Sequence, residues 1–187
     1  GIILMDHINQ LRERIPDTAK DLRLNLSSVL KSDHLSPEEV WSVALTASYF
    51  VRNADLREAV LADAQPILGD AGVEDAQAAA SLMAMNTTYF RFRHMIGKEV
   101  YGQLRAGLRM NRMMAPATSR SQFELSSLAC AALAGCEACL QSHEANLVKE
   151  SYSESQINDV VRIAATIQGV AVAPRIIDGD RLAGVDQ

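Results

Sequence analysis

Cysteine is scarce in this chain of 187 residues: there are three, an odd number and too few for a disulfide-stapled scaffold. Aromatics supply only 5% of positions, with one tryptophan, Trp41. Positive charge is also in deficit, with 18 Lys and Arg against 23 Asp and Glu for a net charge of −5. A general phosphate-backbone binder needs a basic face, so no nucleic-acid partner is expected. Long apolar runs are missing too. The longest, around Leu128 to Cys136, is about half of the ~18 residues a spanning helix requires. No secretory leader is visible, and the expectation is a cytoplasmic protein without membrane segments. The sequons at Asn25 and Asn86 then carry no meaning.

What remains is ordinary globular material, 48% hydrophobic and 22% charged. At ~150 residues per domain the length fits one unit. Gly1-Ile2-Ile3-Leu4 reads as an added scar before a natural start at Met5, leaving 5–187 as a single domain. Alanine fills 27 positions and strand-like alternation is scarce, so the fold class expected is all-α. Pro16, Pro37, Pro66, Pro116 and Pro174 are taken as helix boundaries. Ser36-Pro37-Glu38-Glu39 is a start signal, with serine as cap, proline in the first turn and Glu39 closing a capping box. Helices are expected near 6–14, 18–31, 37–52, 54–68, 73–95, 99–105, 120–134, 136–150 and 154–172. The stretch from Ala78 to Met85 is apolar around most of the helix, which suits a bundle centre or an oligomer interface. Glu39 to Ala47 aligns with Glu124 to Ala132, a faint two-helix repeat that puts Val51 and Ala54 at the places of Cys136 and Cys139.

The chemistry is concentrated between Glu124 and His143. Gly135 has the place of a residue that ends one helix, and Cys136 opens the next. A thiol there meets unpaired backbone N–H groups and the positive end of the helix dipole, which favour thiolate. Cys139 lies three residues on, within reach for a small disulfide ring, and His143 lies four further along the same face. In an antiparallel hairpin, Glu124 lies ~16 Å before the turn and His143 ~10 Å after it, a gap of about one helical turn. A relay from Glu124 through His143 to Cys139 is then geometrically possible. The same C-x-x-C and His143, with Glu124 or Cys130, also offer enough ligands for a metal, although one continuous helix is an unusual source for them.

Glu124, eleven residues, Cys136-x-x-Cys139, three residues and His143 together resemble the signature of alkyl hydroperoxide reductase D-type (AhpD-like) proteins of the carboxymuconolactone decarboxylase-like superfamily. Leu22 to Ser28 and Gly107 to Asn111 are similar to other segments of that family. The resemblance implies an AhpD-like helical bundle, a trimer or dimer of trimers, and an antioxidant thiol–disulfide oxidoreductase. It implies no tightly bound cofactor or metal. Electrons would come from dihydrolipoamide, on a lipoyl-bearing protein, and pass to a peroxiredoxin of the alkyl hydroperoxide reductase C type, with weak direct peroxidase activity. Carried over by position, Cys139 would become the sulfenic acid. Cys136 would be proton donor, resolving thiol and the site of the mixed disulfide with the peroxiredoxin, while Glu124 and His143 would relay protons. Ala138 departs from mycobacterial relatives, which have histidine there, and this puts the strength of direct peroxidase activity in doubt.

Two other classes compete: a metal-stapled, non-redox helical binding protein, and a decarboxylase-like enzyme in which the cysteines are incidental. Cys130 reads as a small buried hydrophobe. His7, His34 and His94 read as unpartnered surface residues. Arg91, Arg93, Arg105, Arg109 and Arg112 form a basic band best explained as a solvated or subunit-bridging face. Met83 and Met85 read as core filler, and Met110 to Met114 as filler or as a lining for the approach to the thiols. Cys136 is expected nearer the surface than Cys139.

Overall fold

A computed structural model describes residues 4–183, with side chains through residue 173. The helices are α1 (Asp6–Glu13), α2 (Lys20–Val29), α3 (Pro37–Phe50), α4 (Ala54–Ile96), α5 (Glu99–Gln103), α6 (Asn111–Met114), α7 (Arg120–Ala134), α8 (Glu137–Lys149) and α9 (Glu154–Ala183), with a 3₁₀ turn at Asp17–Ala19. Among the described residues there is no strand, so the chain is all-α. Residues 1–3 of the expected scar lie outside the described residues; Leu4 is exposed.

The bundle closes around α3, which packs against α4, α7 and α9. Nine consecutive residues, Val40 to Ser48, are buried, so this helix has no solvent face. Two of its buried hydroxyls are bonded: Ser48 Oγ donates to the Leu45 carbonyl, and Ser42 Oγ meets Ser126 Oγ on α7 at 3.1 Å. The start signal forms a complete capping box, with Ser36 Oγ accepting from Glu39 N and Glu39 Oε2 accepting from Ser36 N. The central position therefore belongs to α3. The alanine run on α4 buries one stripe, including Ala76, Ala79, Ala80 and Met83, and leaves Ser81 and Ala84 exposed.

Two prolines do not mark boundaries. Pro66 lies inside α4, whose break comes at Gly69 (φ 62°, ψ −178°), a conformation open to glycine and costly for other residues. Pro174 lies within α9, which runs past the expected end at 172. The loop expected between 107 and 119 contains the short α6.

The internal repeat is visible as two helix hairpins, α3–α4 and α7–α8, in a register two residues from the one read in sequence. Each hairpin begins with a serine cap (Ser36, Ser119) and turns through one left-handed residue (Arg52, Gly135). Each then opens its second helix on a side chain that caps it (Asn53, Cys136). Each pair is 83 positions apart in the numbering. That spacing sets Trp41, Leu56 and Val60 opposite Glu124, Cys139 and His143. All three are fully buried, so the first copy is filled with core where the second holds polar and sulfur groups.

Candidate active site

The second hairpin begins with ordinary helix chemistry. Ser119 caps α7 by accepting from Gln122 N, and Gly135 ends it at φ 63°. Gly135 N and Cys136 N donate to the carbonyls of Ala132 and Ala131, the paired bonds of a Schellman closure. A side chain at position 135 would strain that left-handed turn. The chain therefore delivers Cys136 to the N-cap of α8, where its Sγ accepts from Cys139 N at 3.3 Å. That sulfur receives the N–H bond and the positive end of the helix dipole.

Cys136 and Cys139 form a disulfide, with Cα atoms 5.2 Å apart. Their accessibility is opposite to expectation. Cys136 is 0% exposed and Cys139 7%. Cys136 packs inward against Met83 of α4 and Cys130 and Ala131 of α7, while Cys139, one turn along, faces a cavity.

His143 Nδ1 lies 2.7 Å from Glu124 Oε1, across the hairpin from α8 to α7. Asn146 Nδ2 donates to the same oxygen at 2.9 Å. Burial alone would raise the Glu124 carboxyl, but the hydrogen bond and charge of His143, the Asn146 amide and Arg120 outweigh it and hold the group below the usual range. An ionised Glu124 fixes Nδ1–H as the donor, and Nε2 then carries the free lone pair. Both side chains are mostly covered, at 12% and 19% exposed.

Two cavities flank this pair. One of about 280 Å³ is lined by Cys139, His143, Asn86, Phe90 and three methionines, Met83, Met110 and Met113. A larger one of about 570 Å³ is bordered by Glu124, His143, Arg120 and Lys149. Met110, Met113 and His143 belong to both, so the segment around α6 is the wall between them. That strap is pinned by buried Asp75, which accepts from Ala117 N, Thr118 N, Thr118 Oγ1 and Arg112 Nη2. Burial pushes the Asp75 carboxyl up, and these four donors more than offset it. Asp75 and Asn86 were not singled out from sequence. Both sit on the buried stripe of α4, where a polar residue among Val73, Ala76, Ala79 and Met83 is the signal available.

Cys130 lies fully buried in the small cluster with Met83, Ala131, Cys136 and Cys139, and burial drives its thiol far above the normal range. Among the described residues no three His, Cys, Asp or Glu side chains converge as a metal site. The other histidines are half exposed but partnered: His7 with Asp63, His34 with Asp159 and His94 with Glu137. Of the basic band, Arg112 pairs with Glu74 and Asp75, and Arg93 donates to the Gly102 carbonyl and covers the rings of Tyr89 and Phe90.

Residues 100–177 match the carboxymuconolactone decarboxylase family. Similarity to curated proteins extends over nearly the whole chain. An alkyl hydroperoxide reductase AhpD of Anaeromyxobacter dehalogenans (strain 2CP-C) is 47% identical over 169 residues, 90% of this chain and 91% of that protein. The protein of the same name from Rhodospirillum centenum (strain ATCC 51521 / SW) is 43% identical over 88% of each chain. That of Coxiella burnetii (strain Dugway 5J108-111) is 40% identical, covering 86% of this chain and 92% of its own.

Proposed function

The chain belongs to the alkyl hydroperoxide reductase AhpD family, and from that membership we propose that it is an enzyme reducing hydroperoxides through the Cys136–Cys139 dithiol. The observation that carries this reading is the shared wall: Cys139 opens onto a cavity also lined by His143, whose ring is held by Glu124.

In the reduced enzyme His143 Nε2 takes the Cys139 thiol proton, and the thiolate attacks the terminal oxygen of the hydroperoxide. The S–O bond forms as the O–O bond breaks, and the alkoxide leaves with the proton from His143. Sulfur is oxidised to sulfenic acid and the peroxide oxygens are reduced. Cys136 then attacks Cys139 Sγ, the disulfide closes, and hydroxide leaves with the Cys136 proton as water. A dihydrolipoamide dithiol restores both thiols and is itself oxidised to the cyclic disulfide. A peroxiredoxin of the alkyl hydroperoxide reductase C type is the protein acceptor of the same electrons.

We assign the assembly to a trimer or a dimer of trimers. Support comes from the arm that runs from the last turns of α4 through α6, where Phe92, Met95, Ile96, Val100, Leu104 and Met114 are exposed. On the apolar run of α4, Ala79, Ala80 and Met83 are buried within the chain.

The deciding experiment supplies cumene hydroperoxide, dihydrolipoamide, lipoamide dehydrogenase and NADH, with and without a peroxiredoxin. Peroxide-dependent NADH loss that vanishes in Cys139→Ser is expected. No turnover under either condition overturns the reading, and turnover of a carboxylated lactone that survives loss of both cysteines replaces it with a decarboxylase.

A further inference from the structure

The pair of His143 and Glu124 has a third member. Asn146 stands one turn after His143 on α8, so the two side chains share a face of that helix. Its Nδ2 donates to Glu124 Oε1 at 2.9 Å, the same oxygen that His143 Nδ1 meets at 2.7 Å. A carboxylate oxygen accepts along two lone-pair directions, and both are taken here. The Asn146 carboxamide makes no other hydrogen bond among the described residues. Asparagine is also a poorer helix former than alanine, so α8 itself does not call for it at this position.

We propose that Asn146 is a positioning residue of the peroxide step: its amide holds the Glu124 carboxylate in place, so that His143 keeps Nε2 free to take the Cys139 proton. The inference rests on the peroxide-reducing reading above. Glu124 reaches across the hairpin on a flexible side chain, and a single bond to the ring leaves its carboxylate free to turn. Arg120, one turn earlier on α7, and Lys149, which lines the same cavity, are the cations that can draw it away. Glu150 is the other acid lining that cavity, and it accepts from Ser121. A ring that loses the acceptor at Nδ1 is free to carry its proton on Nε2 instead, and that tautomer cannot take the thiol proton there. Asn146 supplies the second anchor. It lines the larger cavity and not the one onto which Cys139 opens, so it touches neither sulfur nor peroxide and acts on the rate through Glu124.

The test uses the full-length protein with its dithiol pre-reduced. Thiol loss to cumene hydroperoxide is expected to be about three- to tenfold slower in Asn146→Ala, the scale of one partly exposed hydrogen bond to a charged group. Tm should hold or rise, because alanine favours the helix. Asn146→Asp has the same shape but lacks the donor and sets a like charge beside Glu124, so it should be slower still. The Asn146→Ala change made in a Glu124→Ala background should alter the rate by less than about twofold, since nothing is left for the amide to hold. The Glu124 carboxyl carbon, followed by NMR in labelled protein, should titrate at higher pH in Asn146→Ala than in wild type, because one of the donors that hold it low is gone. An unchanged rate in Asn146→Ala, an equal slowing in the Glu124→Ala background, an Asn146→Asp variant faster than Asn146→Ala, or an unmoved Glu124 titration each overturns the assignment. Wild-type protein that loses no thiols to peroxide would instead sink the underlying reading, and the assignment with it.

Discussion

Glu124 Oε1 holds His143 Nδ1 at 2.7 Å from one helix of the hairpin to the other, and it accepts from Asn146 on the same turn of α8. One carboxylate oxygen thus sets the ring's tautomer and its orientation toward the thiol cavity. Proton transfer by a placed histidine contributes ~10²–10⁴-fold to a rate. Glu124→Gln, which can present its amide to Nδ1 and reverse the tautomer, is expected to lower the rate of peroxide-driven thiol loss by about 10²-fold with the fold intact. Stopped-flow thiol loss together with circular dichroism checks both parts.

The same carboxyl dictates a pH dependence. Burial raises its pKa, but His143, Asn146 and Arg120 together bring it below the ordinary value. A depressed folded-state pKa means that the carboxylate–imidazole hydrogen bond is intact above the usual carboxyl range (~4.3) and is lost only as pH falls through the lowered value. The Glu124 carboxyl should therefore stay ionised from pH 8 to about pH 5, and its carboxyl carbon, followed by NMR in labelled protein, should show no titration step of its own in that interval. A Glu124 carboxyl that takes up its proton near pH 6 would show that the contact is not formed as described.

The two sulfurs should divide by access. Cys139 meets the cavity and Cys136 is covered by Met83, Cys130 and Ala131. With one equivalent of peroxide and a sulfenic-acid trap such as dimedone, Cys136→Ser should be labelled at Cys139. Cys139→Ser should remain unlabelled at Cys136, and Cys130 should stay unlabelled in both, since burial keeps its thiol protonated. A bulky peroxiredoxin must displace the packing over Cys136 to form a mixed disulfide there. Trapping of that partner by Cys139→Ser should consequently be slower than reaction of the same variant with a small aromatic disulfide. Peptide mapping after quenching reads all of these.

Asp75 is the anchor of the strap that walls both cavities. Its four donors include two backbone amides, which nothing else in the loop replaces. Asp75→Ala is expected to cost about 3 kcal/mol, since it leaves Arg112 and those amides without their buried acceptor. It should also weaken peroxide turnover by loosening Met110 and Met113. Because the Asp75 carboxyl is held low against burial, its contribution is present above the ordinary carboxyl range and fades as pH falls through the lowered value. Urea unfolding at pH 7 and near pH 3 should show the difference between wild type and variant shrinking at the lower pH.

Helix starts and stops were legible because they depend on local chemistry. Ser36, Ser119, Asn53 and Gly135 act within four residues of their own positions. The hairpin that joins Glu124 to His143 was legible for a similar reason, since two helices and one turn fix the distance. Pro66 and Pro174 misled because a proline removes one bond and can be absorbed by a helix that is held elsewhere, whereas the backbone at Gly69 cannot continue helically. The relative burial of the two cysteines depended on Met83 of α4, 53 positions before Cys136 in the numbering, packing over it, and local spacing does not carry that. Asp75 and Asn86 were hidden because each is a lone polar residue on a helix, with partners 27 to 43 positions away in the chain.

The exposed arm gives the last prediction. Met95 is 75% exposed and Val100 54%, on a segment where Phe92, Ile96 and Leu104 are open to solvent as well. Burying such a side chain from full exposure is worth about 1.5–3 kcal/mol, and these, already partly covered, would each gain a corresponding fraction on burial between copies. If the arm is the seam between copies, Met95→Glu with Val100→Asp puts like charges into each contact and adds their desolvation cost. Light scattering at micromolar concentration should then fall from an oligomer mass to about the 20.4 kDa of one chain. Thermal unfolding of the double variant should lose any dependence on protein concentration that the wild type shows. A wild type that already scatters as a single chain, or a double variant that remains fully assembled, would place the contact elsewhere or remove it. The two cavities beside His143 share Met110 and Met113 with the base of this arm, so the double variant should also slow peroxide turnover, by less than Asp75→Ala does.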